Sequence, residues 1–173
     1  IYYNMGLAYF KKKLYEDAIS TLKSALKIEN KHVEALHELG NSYHSIGNYE
    51  KAISLFNKVL TLNPDNAFCY FNLGNAYRAD KKRNEAHTAY KKALEINPDY
   101  AEAWNALGII CRERGNRDEA FHAHKKALEI NPSYAEAYKN LGVLSDDNGE
   151  LEDAVTYYNR GINILKKDLL LHI

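Results

Sequence analysis

Apolar side chains recur along this chain at helical spacing. Trp104, Leu107, Gly108 and Cys111 stand at i, i+3, i+4 and i+7, which puts them on one face of a helix. Ala120, His124 and Ala127 repeat the spacing a short way on. No stretch alternates strictly between apolar and polar residues, as a half-buried strand would. The same two amphipathic segments return every 34 residues, with Tyr2, Leu36, Tyr70 and Tyr138 in the position of Trp104. The pattern predicts two helices per repeat, each of roughly 13 residues and about 20 Å long.

Punctuating residues keep the same register. The chain's three prolines, Pro64, Pro98 and Pro132, are 34 apart and each follows an asparagine. Gly6, Gly40, Gly74, Gly108 and Gly142 mark a second position; Ala18, Ala52, Ala86, Ala120 and Ala154 mark a third. Small residues here let two helix axes approach, and filling such a vacancy costs roughly 1–3 kcal/mol. Gly47, Gly115 and Gly149, with Lys13 and Lys81 in the same position, fall between the paired helices, where a left-handed residue ends the first. The prolines end the second, because the ring lacks an N–H and restricts the residue before it. Asp99 with Glu102, and Ser133 with Glu136, then read as capping boxes; Asn116 with Glu119 reads as another.

A period of this length means stacked supersecondary units, none of which buries its apolar face alone. The expected fold is therefore all-α: an α-solenoid of antiparallel helix-turn-helix repeats in one array over residues 1–173. Its units fall at about 1–32, 33–66, 67–100, 101–134 and 135–168, with 169–173 opening a further one. Leu169, Leu170, Leu171 and Ile173 are apolar where a terminal unit carries a polar face, so the chain reads as a piece of a longer array.

Composition narrows the function. Lys plus Arg and Asp plus Glu number 23 each, for a net charge of zero, which argues against binding nucleic acid or an anionic membrane by electrostatics. No apolar run approaches the ~18 residues of a membrane-spanning helix. Cys69 and Cys111 read as buried thiols on separate helices, compatible with a cytoplasmic, reducing location. Charge is uneven along the array. Residues 1–32 hold six basic against three acidic side chains, and residues 135–173 hold four against seven. Solvated turns explain this simply; head-to-tail self-association through uncapped ends is the sharper reading.

The unit resembles the tetratricopeptide repeat, W-x2-L-G-x2-Y, then A-x3-F, then P. Trp104, Leu107, Gly108, Ala120 and Pro132 match it in the fourth unit. Leu73, Gly74, Tyr77, Ala86, Tyr90 and Pro98 do so in the third, and Leu39, Gly40, Tyr43, Ala52, Phe56 and Pro64 in the second. Departures are local. Cys111 and Ser145 replace the tyrosine, His124 the aromatic, Gly161 an alanine, and Asn30 and Lys166 the proline. The resemblance implies a right-handed superhelix whose first helices line a concave groove that binds a peptide or protein partner.

Placing that groove on this chain selects first-helix residues that point away from the partner helix. The candidates are Asn4, His37, Asn41, His44, Phe68, Phe71, Asn72, Asn75, Arg78, Asn105, Ile109, Arg112, Lys139 and Asn140. Asn4, Asn72 and Asn140 share one position of the repeat; Asn41 and Asn75 share another a turn away. An amide offers both donor and acceptor, which suits the backbone of an extended peptide. Such arrays resemble those in the repeat domain of O-linked N-acetylglucosamine transferases. The plain alternative is that these asparagines cap helices, are simply solvated, or bond a neighbouring helix. Phe68 and Phe71 invite a ligand, since the repeat's own packing requires no aromatic there. The carboxylate clamp of chaperone-binding members is not matched: the window from the second unit reads His37, Asn41, Asn72, Glu102, Ala106, without its distal cations.

Catalytic motifs are lacking, and neither cofactor nor metal is expected. His122 and His124 point to different helix faces, and His37 and His44 lie two turns apart, about 10.5 Å. The expected role is a protein-interaction scaffold. The alternatives are the substrate-recognising or regulatory region of a larger enzyme such as a glycosyltransferase, and a self-assembling scaffold.

Overall fold

A computed structural model describes residues 1–170. Its described residues form ten α-helices and no strand. They divide into two compact units, Ile1–Ile96 and a second that begins at Asn97.

The first unit contains three antiparallel helix pairs. These are α1 (Tyr2–Lys11) with α2 (Tyr15–Ile28), α3 (Val33–Ser45) with α4 (Tyr49–Leu62), and α5 (Ala67–Ala79) with α6 (Arg83–Ile96). Each pair packs on the next, α2 against α3 and α4 against α5. The second unit contains α7 (Ala101–Glu113) with α8 (Arg117–Ile130), and α9 (Ala135–Asp147) with α10 (Leu151–Leu170); α8 packs against α9.

The small-residue positions close each pair. A Cβ on Gly40 would sit 2.7 Å from Phe56 Cε1, and one on Gly74 would sit 2.5 Å from Tyr90 Cε1. On Gly108 it would sit 2.5 Å from His124 Cε1. Each glycine thus receives one second-helix ring. Phe56, Tyr90 and His124 are accordingly all but inaccessible to solvent.

The turns between paired helices are left-handed in all five repeats. Gly47, Gly115 and Gly149 have φ of 78°, 83° and 81°. Lys13 and Lys81 adopt φ of 61° in the same position, so the backbone geometry persists where glycine is absent. Before the prolines, α4 and α8 stop at Leu62 and Ile130, and Asn63 and Asn131 turn to extended φ of −139° and −127°. Glu29 does likewise at −135° although Asn30 replaces proline there. At the last repeat, however, α10 runs through Lys166 to Leu170. Leu169 and Leu170, expected to open a further repeat, continue that helix; Leu171 and Ile173 lie outside the described residues.

The expected capping boxes did not form. α7 and α9 start one residue later than the boxes require, with Tyr100 and Tyr134 at the N-cap and no side-chain cap. Asn97 Oδ1 and Asn131 Oδ1 instead accept from the backbone N–H of Asp99 (3.2 Å) and Ser133 (3.1 Å), tightening the Asn-Pro turns. Nor does Asn116 cap α8; its amide contacts Glu119 Oε2 at 3.4 Å. Side-chain caps occur in the first unit. His32, Asn48 and Asn66 accept from the N–H three residues on.

Candidate functional site

Within the first unit, the first helices α1, α3 and α5 carry Asn4, His37, Asn41, His44, Phe68, Phe71, Asn72, Asn75 and Arg78. Polar side chains here bond from one repeat to the next. Asn72 Nδ2 donates to His37 Nε2 at 2.9 Å, joining α5 to α3. That bond leaves the imidazole proton on Nδ1, which faces Glu38 Oε1 at 3.6 Å. Asn41 Nδ2 lies 3.4 Å from Glu38 Oε2. Burial pushes the Glu38 carboxyl up, but the bonds from His37 and Asn41 and the charge of Lys11 outweigh it, and its pKa is lowered. Tyr90, from α6, reaches through the pair to donate to Asn75 Oδ1 at 2.8 Å.

Several polar atoms of this face keep capacity to spare. Among the described residues, Asn4 makes no side-chain hydrogen bond, and neither Asn41 Oδ1 nor Asn72 Oδ1 accepts one. His44 Nε2 is buried and lacks a partner. Burial also lowers the His44 pKa, outweighing a backbone interaction with Asn75 that raises it. An unpaired buried polar atom of this kind costs roughly 1–3 kcal/mol.

The two phenylalanines differ. Phe68 is 52% exposed, and its ring centroid lies 5.1 Å from that of His37. Phe71 is half-buried and leans on Tyr90 at 6.0 Å. Phe68 is therefore the aromatic available to a ligand, and Phe71 is mainly packing.

The second unit places Asn105, Ile109 and Arg112 on α7 and Lys139 and Asn140 on α9. Asn105, 3% exposed, is the hub of a network. Its Oδ1 accepts from His124 Nδ1 and from Asn140 Nδ2, each at 2.9 Å, and its Nδ2 faces Tyr134 Oη at 3.4 Å. Burial, with a smaller contribution from the Arg112 charge, lowers the His124 pKa to about 4. The ring is thus a neutral donor in the place of an aromatic. Arg112 is committed to Asp147 at 3.2 Å and Lys139 to Glu136 at 3.6 Å. Ile109 is partly buried. The second unit thus uses its amides internally more fully than the first.

Comparisons with known proteins agree with this construction. A family model described as tetratricopeptide repeat matches residues 1–65, 33–99 and 99–167. The chain belongs to the tetratricopeptide repeat family. Its members are protein-interaction scaffolds, and the repeat fold is generally non-catalytic. Among solved structures, a crystal structure of MamA is 29% identical, covers 95% of this chain and 96% of its own, and superposes with a TM-score of 0.84. TTC0263, a thermophilic tetratricopeptide protein of Thermus thermophilus, is 24% identical over 99% and 93% of the two chains, with a TM-score of 0.78. PilF of Pseudomonas aeruginosa is 21% identical over 94% and 74%, with a TM-score of 0.85. No curated protein sequence matches the chain. No helix among the described residues is long and apolar enough to cross a membrane.

Proposed function

We propose that this tetratricopeptide array binds an extended segment of a partner protein along α1, α3 and α5 of its first unit. The observation that carries this reading is Phe68: an aromatic more than half exposed, set among amides with unused hydrogen-bonding groups. Asn41 Oδ1 and Asn72 Oδ1 would accept from backbone N–H groups of the segment, and the Asn4 amide would both donate and accept. Main-chain contacts of this kind give affinity with little demand on ligand sequence, while Phe68 supplies an anchor. The bond from Asn72 to His37 holds one such amide in place before the ligand arrives, which reduces the ordering cost of binding.

The test is selection of short peptides from a displayed library against the chain, followed by titration of the selected peptide into Phe68→Ala. Affinity should fall by about tenfold or more, the scale of a hot-spot truncation, with the thermal midpoint unchanged. Equal affinity in the variant would move the site off this face.

A further inference from the structure

Glu38 interrupts the row of amides on the first unit. Its position in the repeat holds Asn4 on α1, Glu38 on α3 and Asn72 on α5. An amide donates and accepts, whereas a carboxylate only accepts. The helix that carries it is the middle one of this face, with α1 and α5 both packed against it. The Glu38 side chain is 18% exposed, a degree of burial at which a carboxylate is ordinarily paired.

Its contacts are sparse. His37 Nδ1 lies 3.6 Å from Oε1, and Asn41 Nδ2 lies 3.4 Å from Oε2. Both are longer than the roughly 2.7–3.2 Å of ordinary N–H···O bonds, and the two oxygens together can accept about four. Lys11 acts on Glu38 through its charge from the last turn of α1, but among the described residues no Lys or Arg side chain forms an ion pair with it. Burial would raise the Glu38 pKa, yet the contacts with His37 and Asn41 and the Lys11 charge lower it, so the group is a carboxylate at neutral pH.

The surroundings suit a cation. Tyr3 on α1 lies in the same field: burial, then the charges of Glu38 and Glu34, raise its phenol pKa. Phe68 on α5 stands 5.1 Å from the ring of His37, the residue whose Nδ1 meets Glu38. Aromatic faces attract an ammonium or guanidinium group. Glu38 and the exposed Phe68 thus share one imidazole as a neighbour.

We propose that the segment bound along α1, α3 and α5 carries a lysine or arginine that pairs with Glu38, within about two residues of the apolar side chain that meets Phe68. This rests on the groove reading above and adds a charge preference to it. Alternate side chains of an extended segment stand about 7 Å apart on one face, which suits two subsites that flank the same ring. The cation fills the accepting capacity of Glu38 and selects against acidic segments, which amides alone do not do.

Peptides selected from a displayed library on the wild-type chain test this. They should carry a basic residue within two positions of an apolar one. Replacing that residue by glutamine should weaken binding to the wild type by about tenfold or more. The same replacement should change little against Glu38→Gln, which keeps an acceptor for His37 and Asn41 and loses the charge. Circular dichroism checks that this variant folds, and the peptide replacement leaves the protein itself unaltered. Added salt should weaken wild-type binding more than binding to Glu38→Gln. Selected peptides without a basic residue, or an equal loss against both proteins, overturn the inference. If Phe68→Ala still weakens those peptides, the groove reading stands and the charge preference alone is lost. Equal affinity in Phe68→Ala, or a library that yields no binder, overturns both.

Discussion

Lys81 and Gly115 occupy one position of the repeat, both with left-handed φ (61° and 83°), a region that only glycine adopts without steric cost. Nothing lies within 4 Å of a Cβ built on Gly115, so the effect of adding one is conformational and not a clash. Gly115→Ala should therefore destabilise by about 1 kcal/mol in urea unfolding. Lys81→Gly, which relieves the same strain, should be neutral or slightly stabilising. His124 makes the second residue-scale case. Its folded pKa of about 4 lies below the ordinary 6.5, so the unfolded chain binds more protons between those values. Its contribution to stability is complete above pH 6.5 and is lost as pH falls toward 4, a loss of roughly 3 kcal/mol. Urea midpoints measured from pH 7 to pH 4 should fall steeply in the wild type and less in His124→Phe. Equal slopes would show that His124 is not the titrating group.

Helix boundaries were legible in the sequence because they rest on local chemistry. Three prolines and three glycines mark where the backbone must leave the helical region, and α4, α8 and the left-handed turns follow them. Capping was not legible. Asp99 and Ser133 stand one residue too early, and the helices they were to cap begin after Tyr100 and Tyr134. The Asn-Pro turns supply bonds of their own instead. Asn66 does cap, accepting from Cys69 N–H at 2.9 Å. Asn66→Ala should cost about 1 kcal/mol in unfolding free energy, whereas Asp99→Ala should cost clearly less, a contrast that urea titration resolves. The amide positions were visible as a period, but their partners were not. The bonds from Asn72 to His37 and from Asn140 to Asn105 span 35 residues, and that from His124 to Asn105 spans 19. Such pairs depend on how successive helices are rotated, which apolar spacing leaves undetermined.

At the scale of the molecule, repetition explains both what is stable and what is open. Each helix pair closes on its glycine, and successive pairs within a unit share a buried seam. In the second unit Asn105, Asn140, Arg112 and Lys139 already have partners there. In the first unit Phe68, Asn4 and the oxygens of Asn41 and Asn72 do not use their full capacity, and the buried His44 Nε2 has no partner. This contrast supports the proposed placement of recognition on α1, α3 and α5. The most direct measurement places a photo-crosslinking amino acid at position 68, and in a control at Thr61 on the exposed side of α4, with the display-selected peptide added. Crosslinking at 68 and none at 61 is the expected result. A crosslink at 61 with none at 68 would contradict the proposed site.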